Sequence, residues 1–161
     1  MTKVNDVYNN AMRLEPGSAY ELCANRNIDI RLVDPKHAEG FPAASLIGQY
    51  GSFGILINKS KLESLENTEF MLLHELGHYE NEFDSGYGKN YSSIAATTID
   101  ERYANMFAVF RIIPQHPSNN ESIFRIAKKK GIPYNILKSV LFQLSLEKDP
   151  FFKNYYSEYG V

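Results

Sequence analysis

Hydrophobic and polar positions along this chain follow two different periods, and the changes of period divide it into elements. Residues 3–14 and 18–26 carry helical patterns separated by the breaker Glu15-Pro16-Gly17. After them Ile28-Asp29-Ile30-Arg31-Leu32-Val33 alternates with the period of a strand. A loop containing Pro35, Gly40 and Pro42 follows, and residues 45–49 and 53–58 read as a hairpin turning about Tyr50-Gly51-Ser52. A longer helix is predicted to start near Ser64, with Glu66 and Glu69 in its first turns, where they suit the helix dipole. On it Leu72, Leu76, Tyr79 and Phe83 form an apolar stripe, while His74 and His78 share the opposite side with Asn67 and Met71. Residues 84–96 read as a polar loop, and a further helix follows, with Glu101, Ala104, Asn105, Ala108 and Ile112 on one face and Tyr103, Phe107 and Phe110 on the other. The fold class predicted is α+β, a single domain over 1–161: a helical N-terminal segment, a small twisted antiparallel or mixed sheet, two long helices and a helical C-terminal part.

Chemistry concentrates in His74-Glu75-Leu76-Gly77-His78. At about 100° per residue, positions four apart stack one turn above each other, so both imidazoles can reach one cation. Glu75 lies about 100° round from His74, poorly placed as a further ligand but close enough to take a proton from a water polarised at the metal. A histidine kept for the core would sit within the apolar stripe, and these two do not. Gly77 inside a helix costs about 1 kcal/mol relative to alanine, which a close approach by another helix or a substrate would explain.

Catalytic zinc takes three protein ligands, so a third residue is needed. Two candidates compete. In His78-Tyr79-Glu80-Asn81-Glu82-Phe83-Asp84 the spacing follows a metzincin-like pattern, with Asn81 at the turn position normally held by glycine and Asp84 as the ligand. The stronger candidate is Glu101, whose helix presents Ala104 and Ala108 on the same face and could therefore lie close to the helix carrying Gly77. Asn105, one turn further on, could then hydrogen-bond a ligand imidazole, and Asp100 reads as a helix-start charge.

The combination of H-E-L-G-H with Glu101-x-x-Ala104-Asn105-x-Phe107-Ala108, followed by an apolar run ending in Pro114, resembles the ImmA/IrrE family of metallopeptidases. The likeness spans roughly residues 18–145 and includes Gly54-Ile55-Leu56-Ile57-Asn58, which is similar to the strand before that family's active-site helix. The resemblance implies a small zincin-like domain of gluzincin type, its H-E-x-x-H helix packed on the sheet. His74, His78 and Glu101 would be the Zn2+ ligands and Glu75 the catalytic base. It implies a cytoplasmic endopeptidase whose substrate is a helix-turn-helix repressor, often encoded beside it on a phage or mobile element. The sequence departs from the family pattern at Tyr79-Glu80-Asn81 and at Ile112-Ile113-Pro114, which bears on substrate preference more than on chemistry.

Composition fits this picture without sharpening it. With 43% hydrophobic and 22% charged residues the chain can bury one sizeable core, and a net charge of −2 gives no general attraction to nucleic acid. Cys23 stands alone, which excludes an internal disulfide and predicts a buried helix residue. The N-terminal residues show no apolar leader segment and no stretch approaches a membrane span, so a soluble cytoplasmic chain is expected.

The C-terminal third carries a rival function. Residues 121–147, around Ile126-Ala127-Lys128-Lys129-Lys130-Gly131-Ile132-Pro133, have the spacings of a helix-turn-helix, which would make a DNA-binding regulator. Pro133 and Ile136 are poor base readers, however, and direct nucleic-acid binding is not expected; packing or substrate docking is. A non-proteolytic anti-repressor that only binds its partner is the other alternative. Tyr87, Tyr91, Tyr103 or His116 could donate to an oxyanion, and residues 53–57 could form an edge strand that accepts an extended substrate. The aromatic segment 149–161 is expected to pack back on the domain or on a partner.

Overall fold

Local chemistry starts and stops the helices. The computed structural model describes residues 3–34, 36, 43–47, 52–82, 98–113 and 121–157. Helix α1 spans Lys3–Met12 and α2 spans Ala19–Asn25. Ser18 opens α2 through a capping box, its Oγ accepting from Glu21 N at 3.3 Å while Glu21 Oε2 accepts from Ser18 N at 2.7 Å. Strands β1 (Asp29–Val33), β2 (Ala43–Ile47) and β3 (Phe53–Asn58) lead to the long helix α3 (Leu65–Glu82). Ser64 caps α3 by accepting from Asn67 N at 3.0 Å. Glu69, expected to serve the dipole of its own helix, instead accepts from Ala19 N at 2.7 Å and so satisfies the first turn of α2.

The described strands form one sheet in the order β1-β3-β2, with β1 parallel and β2 antiparallel to β3. The hairpin is present, pairing Ala43 with Ile57 and Ile47 with Phe53, so its first strand begins two residues earlier than the 45–49 expected. Residues 53–57 are not an edge. The backbone of β3 is paired on both sides, and Phe53, Ile55 and Ile57 are buried, which makes it a central core strand; the edges are β1 and β2.

Helix α3 is the hub. Leu72 and Leu76 are fully buried, and Tyr79 of the same stripe meets Phe53 edge-on at 5.1 Å between ring centroids. On the histidine side Met71 and His78 are buried too, while Asn67 and His74 are partly buried, and α4 (Thr98–Ile112) packs over this helix. Helix α4 carries a continuous buried run from Met106 to Phe110 and packs on α1 as well as α3. At the C-terminal end of α3, Glu80 is buried against Arg26 and Arg13, and Arg26 also donates to Glu15 at 2.9 Å. Asn81 accepts from Asn10 at 3.0 Å.

The C-terminal part consists of α5 (Ile123–Lys130), α6 (Tyr134–Ser145) and α7 (Pro150–Ser157). Gly131 ends α5 at φ 68°, and a Cβ built there would lie 2.3 Å from both Asn67 N and Glu66 C, so the α5–α6 turn is seated on the first turn of α3. Asn67 Nδ2 donates to Gly131 O at 3.0 Å, which fixes the contact. Helix α7 packs back on the domain: Phe151 and Phe152 stack edge-on against Tyr8 at 5.1 and 5.7 Å. No described helix is long and apolar enough to cross a membrane.

Candidate metal centre

The close approach of two helices creates the site. A Cβ on Gly77 would sit 3.1 Å from Ala104 Cα and 3.2 Å from Ala104 O, so glycine in α3 lets the backbone of α4 lie against it. That contact brings the first turn of α4 over the histidines. Glu101 Oε2 lies 3.1 Å from His74 Nε2 and Glu101 Oε1 lies 3.1 Å from His78 Nε2. The candidate ligand atoms of all three residues fall within 4.8 Å of one another, close enough to hold one metal ion. The side chains of His74 and His78 are 14% and 5% exposed, while that of Glu101 is 47% exposed, so the group opens to solvent on the carboxylate side.

Asn105 sets the direction of one ligand. Its Oδ1 lies 2.8 Å from His74 Nδ1, and an amide oxygen at that distance requires the ring to donate from Nδ1. The lone pair of a neutral His74 is then on Nε2, aimed at the Glu101 carboxylate. A proton or a cation must then lie between Nε2 and the carboxylate: where protonated rings supply it, their hydrogen bonds, His74 first and His78 next, hold the Glu101 carboxyl well below the usual carboxylate range, and where a cation supplies it, the Nε2 lone pairs are left to bind it. Two imidazoles and one carboxylate with one open side match the donor set of a catalytic zinc site.

Glu75 is 5% exposed and lines the same cleft as His74, Glu101 and Asn105, outside the three-residue ligand group. Of the metzincin-like alternative, Asn81 lies in the last turn of α3, one residue before that helix ends at Glu82, with its side chain accepting from Asn10. Asp84 lies outside the described residues, as do Tyr87, Tyr91 and His116. Tyr103 does not line the cleft; its ring faces α1, with Lys3 Nζ 5.8 Å from its centroid, because it lies about 160° round α4 from Glu101 and Asn105 on the core-packing side. Cys23 is fully buried in α2, and burial pushes its thiol up to about 11.

One part of the site was not foreseen in detail. The cleft, about 590 Å³, is walled by α3 on one side and by the α5–α6 turn on the other, through Ala127, Lys128, Gly131, Ile132, Pro133 and Ile136. Only Gly131 carried a hint of it, since a left-handed turn residue marks where the backbone is free to seat closely. Comparison of the chain with protein-family models, curated proteins and solved structures finds no match.

Proposed function

We propose that this chain is a zinc-dependent endopeptidase of gluzincin type, with His74, His78 and Glu101 as ligands and Glu75 as the general base. The observation that carries this reading is the convergence of Nε2 of both histidines on one carboxylate, with a buried glutamate lining the same cleft. Zinc bound there would supply Lewis acidity, lowering the pKa of a water toward 7 and polarising the scissile carbonyl. Glu75 takes the proton of the attacking water and returns it to the leaving amine. Asn105 keeps His74 in the tautomer that presents Nε2, and Glu101 supplies the carboxylate ligand.

The substrate we propose is a helix-turn-helix repressor, as the likeness to the ImmA/IrrE metallopeptidases implies, and the zincin-like fold and cytoplasmic setting belong to the same reading. The edge strand β2, which packs on α3, replaces β3 as the strand onto which an extended substrate would add. The seating of the α5–α6 turn against α3 favours a docking role over DNA reading for residues 121–147, since it turns Ile132 and Pro133 into the cleft. The test is co-expression with a helix-turn-helix protein encoded beside this chain, followed by mass spectrometry of that partner. A single new terminus that vanishes with Glu75→Gln supports proteolysis; derepression with the partner intact would identify a binding anti-repressor instead.

A further inference from the structure

The metal ligands occupy one end of the cleft, and the rest of it has a surface that metal binding does not account for. Phe70 and Met71 precede His74 by four and three residues on α3, so they continue the histidine side of that helix for one more turn. The rings of Phe70 and His74 are 6.4 Å apart between centroids. Facing them are Ile132, Pro133 and Ile136 from the α5–α6 turn. Phe70, Met71 and Ile132 are 3%, 7% and 3% exposed, so the wall is packed in place. The hydrogen bond from Asn67 to Gly131 O and the tight seat of Gly131 prevent the turn from drifting away from α3. Lys61, Glu63 and Lys128 also line the cleft, and all three are exposed.

We propose that this wall is a specificity pocket for one apolar side chain, from leucine to phenylalanine in size, on the substrate residue flanking the scissile bond. The inference rests on the zinc-peptidase reading of the adjacent site. An extended chain advances about 3.3 Å per residue, so a carbonyl held at the ligand end places the neighbouring side chain against Phe70 and Met71. A cleft of about 590 Å³ falls within the range of small-molecule sites, which is more room than a metal and its water occupy. Apolar surface on both faces makes a charged side chain costly there, whereas an aliphatic or aromatic one leaves water. The C-terminal helical pair thereby selects the residue at which the chain is cut.

Calorimetry with small hydroxamates on the zinc-loaded full chain tests this without needing the natural substrate. Acetohydroxamate reports the metal alone, and 4-methylpentanoyl, 3-phenylpropanoyl and succinyl hydroxamates add an aliphatic, an aromatic and an acidic arm. The aliphatic or aromatic compound should bind at least about tenfold tighter than acetohydroxamate, as expected when three or more carbons leave water, and the acidic one should show no gain. Pro133→Asp puts a carboxylate at the exposed N-cap of α6, where aspartate is well tolerated. It should abolish the gain while leaving zinc and acetohydroxamate affinities unchanged, and Ile136→Asp should do the same. If acetohydroxamate binds and the apolar arms add nothing, or if their gain survives both variants, the pocket is refuted while the metal site stands. If the chain takes up no zinc, or the zinc-loaded chain ignores acetohydroxamate, the metal-site reading fails and the pocket falls with it.

Discussion

Replacing Gly77 with alanine adds one methyl group at the point where α3 and α4 touch, between the two candidate ligand histidines and one turn along α4 from Glu101. The new Cβ would lie 3.1 Å from Ala104 Cα, 3.1 Å from Phe107 Cβ and 3.2 Å from Ala104 O, two of which are backbone atoms that cannot rotate away. Ordinary contact begins near 3.4 Å, so α4 must retreat by a few tenths of an ångström. Overpacking of this kind costs about 1–3 kcal/mol, and the better helix propensity of alanine returns about 1 kcal/mol. The net loss of stability should be no more than about 2 kcal/mol. Metal sites tolerate only about 0.2 Å in ligand distance, so the same retreat, carrying Glu101 with it, should weaken zinc binding by about tenfold or more. Urea denaturation of the metal-free chain measures the first quantity and competition with a chromophoric chelator the second. A variant that gains about 1 kcal/mol in stability and binds zinc like the parent would refute the close helix approach on which the site depends.

Asn105→Ala should lower zinc affinity by about 10–100-fold with little change in metal-free stability, because it frees the tautomer and orientation of His74; unchanged affinity in the chelator assay would remove its positioning role. Arg26→Ala strands the buried Glu80 carboxylate with only the half-exposed Arg13 and should cost about 3 kcal/mol in urea denaturation, against less than about 1 kcal/mol for a surface pair. The same variant tests the acid limb. Arg26 holds Glu15 down to about 2, so the stability linked to Glu15 is complete above its ordinary 4.5 and is lost as pH falls from there toward 2. In Arg26→Ala an NMR titration should show Glu15 returning toward 4.5. Cys23, with its thiol raised to about 11 by burial, should react with thiol reagents at neutral pH only as fast as the chain opens, and rapid labelling of the native chain would contradict its placement in α2.

Most of the site could be read from local spacing, and the parts that could not depend on contacts between distant segments. His74, Glu75 and His78 follow from one turn of helix, and Glu101 and Asn105 followed from the small-residue face of α4 together with a glycine that needed a neighbour. The expected edge strand was misplaced because nothing local to residues 53–58 announces that β1 pairs with them in parallel across an intervening hairpin strand. Asn81 matched a turn signature in isolation, but it is still helical one residue before α3 ends at Glu82, and its partner Asn10 lies 71 residues away in sequence. The cover of the histidine side is equally remote in sequence, since it comes from α4, which begins at Thr98. Residues 121–147 showed their helix, turn and helix plainly, while the direction in which that pair faces is decided by the seat of Gly131 on Glu66 and Asn67.

The central claim is that His74, His78 and Glu101 hold a zinc ion which Glu75 serves without binding. Elemental analysis of the purified chain and its variants after zinc loading and removal of free metal tests it directly. The parent, Glu75→Gln and Asp84→Ala should each retain about one zinc per chain, and Glu101→Ala should retain little, in line with three protein ligands at an open zinc site. Full occupancy in Glu101→Ala, or loss of zinc in Asp84→Ala, would contradict the account.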